Sequence, residues 1–254
     1  MCVLAFAWRA HPRWCLVLAG NRDELHTRPA DPLARWPGAD HVLAGRDRLS
    51  GGTWLGVSEE ARLAVVTNLR GFGGPKTDAP SRGLLLSDML RGGGDFQNPS
   101  DAVLETFSPF NLIRVENDEA VFWTNQPAPV RRPLTPGLYG LSNGELDEPW
   151  PKTLRLKATL ADWLEGAADH PEMLLDGLQD ERLGVDGSIP AQPSDVPFEP
   201  RNSSVFIRGP VYGTRCGTVV AIDAEGRGRI LERRFDAGGQ ITGETDLAFS
   251  FSGA

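Results

Sequence analysis

The sequence is poor in cysteine and has no long apolar segment. Its three cysteines, Cys2, Cys15 and Cys216, include no pair at CxxC spacing. A sparse, odd set argues against a disulfide framework and against a cysteine-rich zinc site, so we predict a reducing, cytoplasmic location. No apolar run reaches the roughly 18–20 residues of a membrane helix. The short apolar start lacks the basic flank of a signal peptide, so we expect neither a membrane span nor a secretory leader.

Positive charge and histidine are also scarce. The chain carries 26 Lys and Arg against 34 Asp and Glu, for a net charge of −8, and the acidic residues are dispersed. Because phosphate binding requires a basic surface, this balance excludes a nucleic-acid partner. The four histidines are isolated and form no metal-type or Cys–His pattern. We therefore predict no cofactor and a small-molecule substrate or ligand.

Apolar runs joined by short polar links predict three β-hairpins. They pair residues 2–8 with 14–20, 53–58 with 62–68, and 111–116 with 120–125. Capping residues and apolar periodicity predict helices at 81–91, 101–107, 151–164 and 171–179. Three strands are expected near the end, at 204–207, 214–223 and 229–235, and Pro-rich irregular segments up to about residue 48 and at 186–200.

The order of these elements, strands then helices then strands, predicts an α+β layered fold. Hairpin connections favour antiparallel sheets. Several strands, such as CVLAFAW, are apolar on both faces, which predicts sheets covered by another sheet on one side and by helices on the other. We find no internal repeat and no long linker, so residues 1–254 are predicted to form one domain.

Cys2 directly follows the initiator methionine. Methionine removal, which we expect before a residue this small, would place a thiol and a free α-amino group on the same residue. The α-amino group has a reference pKa of about 7.7–8.0, so it is a usable base for forming a nucleophilic thiolate. N-terminal threonine nucleophiles are activated in the same way by their own α-amino group, and this arrangement requires no histidine.

The second strand runs into the tetrapeptide NRDE. Pairing of the first two strands would bring Arg22 and Asp23 close to Cys2. Arg22 would lower the pKa of the thiol, and Asp23 would hold the α-ammonium group by a charge-assisted hydrogen bond. Two simpler interpretations remain open: Cys2 is a small core residue, and NRDE is a solvated turn with a local ion pair.

The motif GGTWLG indicates a backbone that approaches another segment closely or adopts positive φ. Trp54 within it is a candidate pocket residue. Other aromatic residues could complete an apolar ligand site with it, or could simply belong to the core: Trp8, Trp14, Trp36, Phe72 and Trp150.

The combination of MCVLAFAW, LAGNRDE, GGTWLG, SRGLLLSDML, LSNGELDEPWPKT and YGTRCGTVVAID resembles the NRDE family, also called the transport-and-Golgi-organisation 2 family. The likeness covers nearly the whole chain. It implies the N-terminal nucleophile (Ntn) hydrolase fold, a four-layer αββα sandwich of largely antiparallel sheets. This expectation agrees with the layered order of the elements.

The sequence also resembles, more weakly, the choloylglycine hydrolase and penicillin V acylase group of proteins with that fold. This likeness implies that Cys2 is the nucleophile, Arg22 the partner of the thiolate and Asn68 an oxyanion donor. Arg22 and Asp23 are adjacent here but separated in that group, so Asp23 and Glu24 are both candidates for the amine partner.

Two further candidates follow from the same likeness. Asn143 in LSN is a second polar donor, and Arg215 in YGTR is a second cationic residue. Turn chemistry is the simpler explanation for Asn68 and Asn143, because asparagine is common where strands end. An ordinary ion pair is the simpler explanation for Arg215.

The expected function is a cysteine Ntn hydrolase that acts on a small amide or thioester through an acyl-enzyme intermediate. The alternative is a non-enzymatic binding or transfer protein for haem or a lipid or acyl-CoA ligand on the same fold. Haem would be bound non-covalently, because no CxxCH motif is present. A third interpretation is an interaction protein that retains the fold without the chemistry.

Overall fold

The computed structural model describes residues 2–166, 168–192 and 198–251. Over these residues the chain forms thirteen strands: β1 (Cys2–Trp8), β2 (Trp14–Leu25), β3 (Ala30–Trp36), β4 (Ala39–Asp47), β5 (Leu55–Ser58), β6 (Arg62–Asn68), β7 (Phe110–Glu116), β8 (Glu119–Thr124), β9 (Val130–Pro133), β10 (Gly137–Leu141), β11 (Tyr212–Asp223), β12 (Arg227–Phe235) and β13 (Ile241–Ser250). One sheet has the order β10-β1-β2-β11-β12-β13, and the other runs from β3 to β9 in chain order.

The described part of the chain also contains four helices outside the sheets: α1 (Arg82–Arg91), α2 (Asp101–Leu104), α3 (Pro151–Glu165) and α4 (Leu174–Gly177), the last preceded by a 3-10 turn at Pro171–Met173. Ser81 caps α1 through its side chain, and Gly92 ends it in the left-handed conformation. Pro151 occupies the first position of α3. The predicted helices are thus confirmed, although α2 is shorter than the predicted 101–107.

Three cores divide the molecule into four layers. Alternate residues of β1 show the arrangement: Leu4, Phe6 and Trp8 pack against the second sheet, whereas Val3, Ala5 and Ala7 pack under α3 and α4. On the far side of the second sheet, α1 and α2 cover β4, β6, β7 and β8. The predicted α+β, four-layer αββα sandwich is confirmed, and the strand pairs are antiparallel.

The three predicted hairpins form as β1–β2, β5–β6 and β7–β8. Asn117 and Asp118, which join the last pair, have φ values of 50° and 67°. A two-residue turn of this kind requires positive φ at both positions, and its twist matches that of the flanking strands.

The prediction of an irregular segment up to residue 48 is wrong. Strands β3 and β4 occupy most of it, and Pro32 is accommodated because β3 lies at a sheet edge. Strands β9, β10 and β13 were also not predicted, since they are short or strongly solvent-exposed.

The predicted strand at 204–207 is wrong as well. This segment follows the sheet as a loop held by side chains: Asn21 donates to the carbonyl of Val205, and Thr214 accepts from the amide of Ile207. The loop predicted at 186–200 is confirmed for 186–192 and 198–200, and residues 193–197 lie outside the described residues. Among the described residues, no helix has the length and apolar character needed to cross a bilayer.

Candidate active site

The pairing of three strands places Cys2 at one end of the sandwich. Arg22 of β2 lies opposite Cys2 of β1 and also opposite Cys216 of β11. Because directly opposed residues share a face of the sheet, these side chains point into the space between the two sheets. A cavity of about 150 Å³ opens there, lined by Cys2, Arg22, Asp23, Glu24, Arg28, Asp47, Ser50, Thr53, Trp54, Val66, Asn68, Ser81, Arg82 and Gly83.

The guanidinium group of Arg22 is buried and held on several sides. Its Nη2 lies 3.3 Å from Asp47 Oδ2 and 3.7 Å from Glu24 Oε2. Its Cζ lies 4.6 Å from the ring centroid of Trp54. These contacts fix a positive charge beside the thiol, as predicted from NRDE.

Asp47 organises the arginines on the floor of the cavity. Its Oδ2 accepts a hydrogen bond of 2.5 Å from Arg28 Nε, and its Oδ1 accepts from the amide and hydroxyl of Ser50. Burial acts to raise the pKa of this carboxyl, but the hydrogen bonds from Arg28 and Ser50 outweigh it and lower the pKa. Asp47 therefore stays ionised and neutralises part of the arginine charge.

Opposing influences act on the thiol of Cys2. Burial is the largest, and it raises the pKa; the nearby carboxylate of Asp23 acts in the same direction. The charge of Arg22 and a hydrogen bond from the backbone N–H of Asp23 lower it. Because the net effect is a raised pKa, the resting thiol is protonated at neutral pH and needs a base to react.

Asp23 and Glu24 lie in different surroundings. The buried Oδ1 of Asp23 accepts a 2.6 Å hydrogen bond from Thr214 Oγ1. Burial raises the pKa of Asp23, and the charge of Lys152 partly opposes the rise. Glu24 instead lies 3.7 Å from the guanidinium nitrogens of both Arg22 and Arg28. Glu24 thus belongs to the arginine cluster, and Asp23 to a second buried network.

Lys152, from the first turn of α3, is the cation of that second network. It is buried, and its Nζ donates to Ser203 Oγ at 3.1 Å. Burial lowers the pKa of Lys152, while the carboxylates of Asp23 and Glu199 act to raise it. Glu199 also pairs with Arg70, so this second network holds two buried acids and two buried bases.

The structure brings the two candidate asparagines together. Asn143 Nδ2 donates to the carbonyl of Asn68 at 2.8 Å, and the carbonyl of Asn143 accepts from the amide of Arg70 at 2.8 Å. Asn68 lines the cavity with Cys2, whereas the buried Asn143 lines a smaller neighbouring cavity of about 20 Å³. Asn68 is therefore the better placed of the two to contact a substrate, and Asn143 supports it.

Arg215 lies apart from the cavity. It occupies a bulge in β11 between Thr214 and Cys216. Its Nη1 donates to the backbone carbonyls of Leu25 and Arg28 at 2.9 and 3.0 Å. Arg215 therefore supports the chain that carries Arg28, and a direct role in chemistry stays a prediction.

The six candidate aromatic residues do not assemble into one ligand site. Trp54 lines the cavity beside Cys2. The other five lie elsewhere: Trp8 in the core between the sheets, Trp14 under α3, Trp36 under α1, Phe72 exposed on the surface and Trp150 against Arg70. Of the two alternatives that the sequence left open for these aromatic residues, the structure favours core packing over a joint ligand pocket.

The glycines of GGTWLG act as the motif predicted. Gly51 has a φ of +77°, and a Cβ on Gly52 would lie 2.2 Å from the carbonyl carbon of Gly83. The amide of Thr53 donates to the carbonyl of Gly83 at 3.2 Å. This contact brings the first turn of α1, with Arg82, to the edge of the cavity.

A larger cavity of about 490 Å³ lies at the opposite end of the sandwich, beside Cys15. Burial raises the pKa of this thiol, and Arg9 is its neighbouring cation. The described residues contain no group of three or more His, Cys, Asp or Glu side chains suited to a metal. We choose the cavity at Cys2 as the candidate site because it combines a thiol, a fixed cation and an amide side chain.

Comparison with known proteins identifies the family. The family model described as Transport and Golgi organisation 2 matches residues 1–237. The chain belongs to this family. It is 32% identical over 258 residues to the human Transport and Golgi organization protein 2 homolog, covering 92% of each chain. It is also 32% identical over 162 residues to the Drosophila melanogaster protein, covering 57% of this chain and 56% of that one.

Solved structures show the fold of this family member. Penicillin V acylase from Agrobacterium tumefaciens superposes with a TM-score of 0.53 at 13% identity, covering 99% of this chain and 87% of that one. The conjugated bile acid hydrolase of Clostridium perfringens, as its C2A mutant, gives 0.51 at 7% identity, covering 100% and 93%. The Ntn hydrolase fold expected from the sequence is confirmed.

Sequence reasoning missed several residues that the family fold brings to the site. Asp47, Arg82 and Lys152 come from three separate segments of the chain. Arg82 and Lys152 lie within the motifs SRGLLLSDML and PWPKT, which marked the family without indicating a charge near Cys2. Their contact with the site depends on how the helices dock on the sheets.

Proposed function

We propose that this chain is a cysteine Ntn hydrolase that cleaves a small amide or thioester. The observation that carries the proposal is the position of Cys2. It lies at the head of β1 in a cavity shared with Asn68, with Arg22 opposite it and the backbone N–H of Asp23 directed at its sulfur. The fold shared with an acylase and a bile acid hydrolase supports an acyl-transfer reaction.

In the proposed first half-reaction, removal of Met1 frees the α-amino group of Cys2. This amine takes the proton of the thiol, and the Sγ electron pair attacks the substrate carbonyl carbon. The carbonyl oxygen becomes an oxyanion, stabilised by the side chain of Asn68. As the oxyanion collapses, the C–N or C–S bond of the substrate breaks, and the leaving group takes the proton from the ammonium group.

In the second half-reaction, water attacks the acyl-thioester on Cys2. The α-amine accepts one proton from this water, and the C–S bond to the enzyme breaks. The proton returns to the sulfur, and the carboxylic acid is released. Amine and thiol are thus regenerated, and the net change is the addition of one water to the amide or thioester.

The buried setting suits this proton transfer. The raised pKa of Cys2 keeps the resting thiol neutral, so a base must act at the moment of attack. An α-amino group with a pKa of about 7.7–8.0 is matched to that task near neutral pH. Once Met1 is removed, Asp23 and Lys152, which interact electrostatically with each other, would act on this amine from the other side of the strand.

A panel of N-acyl amides and acyl thioesters tests the proposal. We expect wild-type protein to form an acyl adduct on Cys2, seen by intact mass, and to show turnover that Cys2→Ala abolishes. Cys15→Ala is the matched control, because it removes a thiol from the opposite end of the sandwich. Unchanged turnover in folded Cys2→Ala, or active protein that retains Met1, would contradict the mechanism.

For haem, the alternative of a carrier protein would use an aromatic pocket. The aromatic side chains that would form it lie in separate cores and on the surface. Nothing in the site therefore favours this alternative, and we propose the hydrolase alone.

A further inference from the structure

The cavity at Cys2 is lined by one arginine, Arg82, that forms no ion pair with a described carboxylate, although the charge of Glu24 acts on it from a distance. Arg22 and Arg28 both lie against Asp47, so their charges are shared with an acid. Arg82 forms no ion pair with any described residue. Its Nη1 donates to the backbone carbonyl of Pro109 at 3.0 Å, and the rest of the group borders the cavity.

The first turn of α1 adds to this positive potential. Ser81, Arg82 and Gly83 line the cavity at the N-terminus of this ten-residue helix, where backbone N–H groups point outward. The first turn contains no acidic residue. Ser81 Oγ already accepts from the amide of Gly83, but no charged side chain of the first turn compensates the partial positive charge of the helix end.

A buried donor points to the same conclusion independently. Arg22 is 93% buried, since 7% of its surface is exposed. Its Nη1 has no hydrogen-bond partner among the described residues, although Nη2 contacts Asp47. A buried N–H without an acceptor is costly, so Arg22 adds to the cavity wall a donor group that the described residues leave unsatisfied.

Resting on the hydrolase function proposed above, we propose that the cavity selects substrates that carry a carboxylate close to the scissile carbonyl, and that Arg82 is the residue that recognises it. The carboxylate would lie between the Arg82 guanidinium and the N-terminus of α1. Glu24 and Asp47 do not prevent this, because Arg22 and Arg28 lie against both of them. The cavity volume of about 150 Å³ favours a compact planar anion over a bulkier one.

Two alkylating reagents of nearly equal size test this directly. Iodoacetamide is neutral and iodoacetate carries a carboxylate, and both need only the thiol of Cys2. We compare the ratio of their rates at Cys2, by peptide mass spectrometry, with the ratio for glutathione in the same buffer. We expect the iodoacetate-to-iodoacetamide ratio at Cys2 to exceed that of glutathione by about tenfold, as a guanidinium within a few ångströms would produce.

Arg82→Gln should return the ratio to that of glutathione. Arg132→Gln is the matched control, because it removes the same charge from the exposed strand β9 and should leave the ratio unchanged. In addition, acetate should protect Cys2 from iodoacetamide in the wild type and lose this effect in Arg82→Gln.

Several outcomes would overturn the proposal. The first is an iodoacetate-to-iodoacetamide rate ratio at Cys2 of the wild type that equals the ratio for glutathione. The second is an Arg82→Gln variant in which both reagents label Cys2 more slowly by the same factor. The third is that neither reagent labels Cys2. Stronger protection by inorganic phosphate than by acetate would overturn the choice of a carboxylate. Alkylation does not require turnover, so loss of the hydrolase proposal and loss of this one give separate signals.

Discussion

At Cys2, the reactivity of one sulfur atom depends on charges held by neighbouring strands. Burial raises the pKa of the thiol, and the guanidinium of Arg22 lowers it. The position of Arg22 depends in turn on Asp47 and on the ring of Trp54. The residues around the sulfur therefore have separable effects on its ionisation.

Replacing Arg22 with methionine should raise the pKa of Cys2. A thiol pKa that rises by about one lowers the thiolate fraction about tenfold at pH values below the pKa, so iodoacetamide labelling should slow by about that factor or more. The measurement is the rate of Cys2 labelling against pH. Arg22→Lys, which keeps the charge, should lie close to the wild type.

Labelling rates at high pH distinguish an effect of Arg22 on the ionisation of the thiol from an effect on access to the sulfur. Once the pH exceeds the pKa in both proteins, their labelling rates should converge, because the thiolate is then fully formed. A constant difference at every pH would show that Arg22 controls access to the sulfur and not its ionisation.

Replacing Asp47 with asparagine should destabilise the protein at neutral pH. The hydrogen bonds from Arg28 and Ser50 hold the pKa of Asp47 below its ordinary value. A carboxyl with a lowered folded-state pKa stabilises the fold above its unfolded pKa of about 3.9, and this contribution is lost as the pH falls through the folded value. We expect a loss of about 1–3 kcal/mol at pH 7, since a buried charge pair loses one partner.

The difference from the wild type should shrink below about pH 4, where the wild-type carboxyl itself takes up a proton. Chemical denaturation at a series of pH values measures it. Asp31→Asn is the control, because Asp31 pairs with Arg48 at the exposed surface over 3.7 Å and should change stability little. A pH-independent deficit for Asp47→Asn would contradict the lowered pKa of Asp47.

Only some residues of the site could be predicted from the sequence, and there is a physical reason why the others could not. Cys2, Arg22 and Asp23 could be placed together because a single hairpin connects them. Arg82 and Lys152 reach the site through helix docking, a contact that leaves no periodic pattern in the chain. The catalytic roles assigned to these residues stay predictions.

At the scale of elements, a glycine contact positions α1 against the sheet. A Cβ at position 52 would lie 2.2 Å from a backbone atom of Gly83, and backbone cannot move away as a flexible side chain can. Gly52→Ala should therefore cost about 1–3 kcal/mol of stability by overpacking. It should also shift the first turn of α1 and so lower the iodoacetate preference at Cys2.

Thermal unfolding and the two-reagent assay measure these effects. Gly93→Ala is a matched control, because no heavy atom lies within 4 Å of the added Cβ. Gly52→Ala with an unchanged melting temperature and unchanged reagent preference would show that the loop adapts and that the glycine contact does not position the helix.

The elements that the sequence predicted correctly share strong local signals. Alternation, polar turns and capping residues marked the hairpins and helices, as at Ser81 and Gly92. Strands β3 and β13 lack these signals because they are edge strands, where proline and exposed polar residues are tolerated. Tertiary pairing, and not local preference, makes them strands.

At the scale of the whole molecule, both sheets and one helix contribute to the candidate site. Cys2 and Arg22 come from the six-stranded sheet, whereas Asn68 comes from the seven-stranded sheet and Arg82 from the helix covering it. The apolar core between the sheets holds these parts in register. The site therefore requires that both sheets fold together.

The prediction of one domain over residues 1–254 can be tested with the cysteines as native reporters. Cys2 and Cys15 are half-buried at opposite ends of the sandwich, and Cys216 is buried at the Cys2 end, opposite Arg22, with a pKa raised well above its ordinary value by burial. Iodoacetamide should label Cys2 and Cys15 in the folded protein and Cys216 only on unfolding.

With increasing denaturant, labelling of Cys216 should follow the same curve as the loss of circular dichroism, because a cooperative domain gives coincident transitions for different probes. Cys216→Ala is the control for assignment of the labelled peptide. If Cys216 becomes labelled well before the circular dichroism changes, the six-stranded sheet unfolds separately, and the site at Cys2 lies at the junction of two independently stable units.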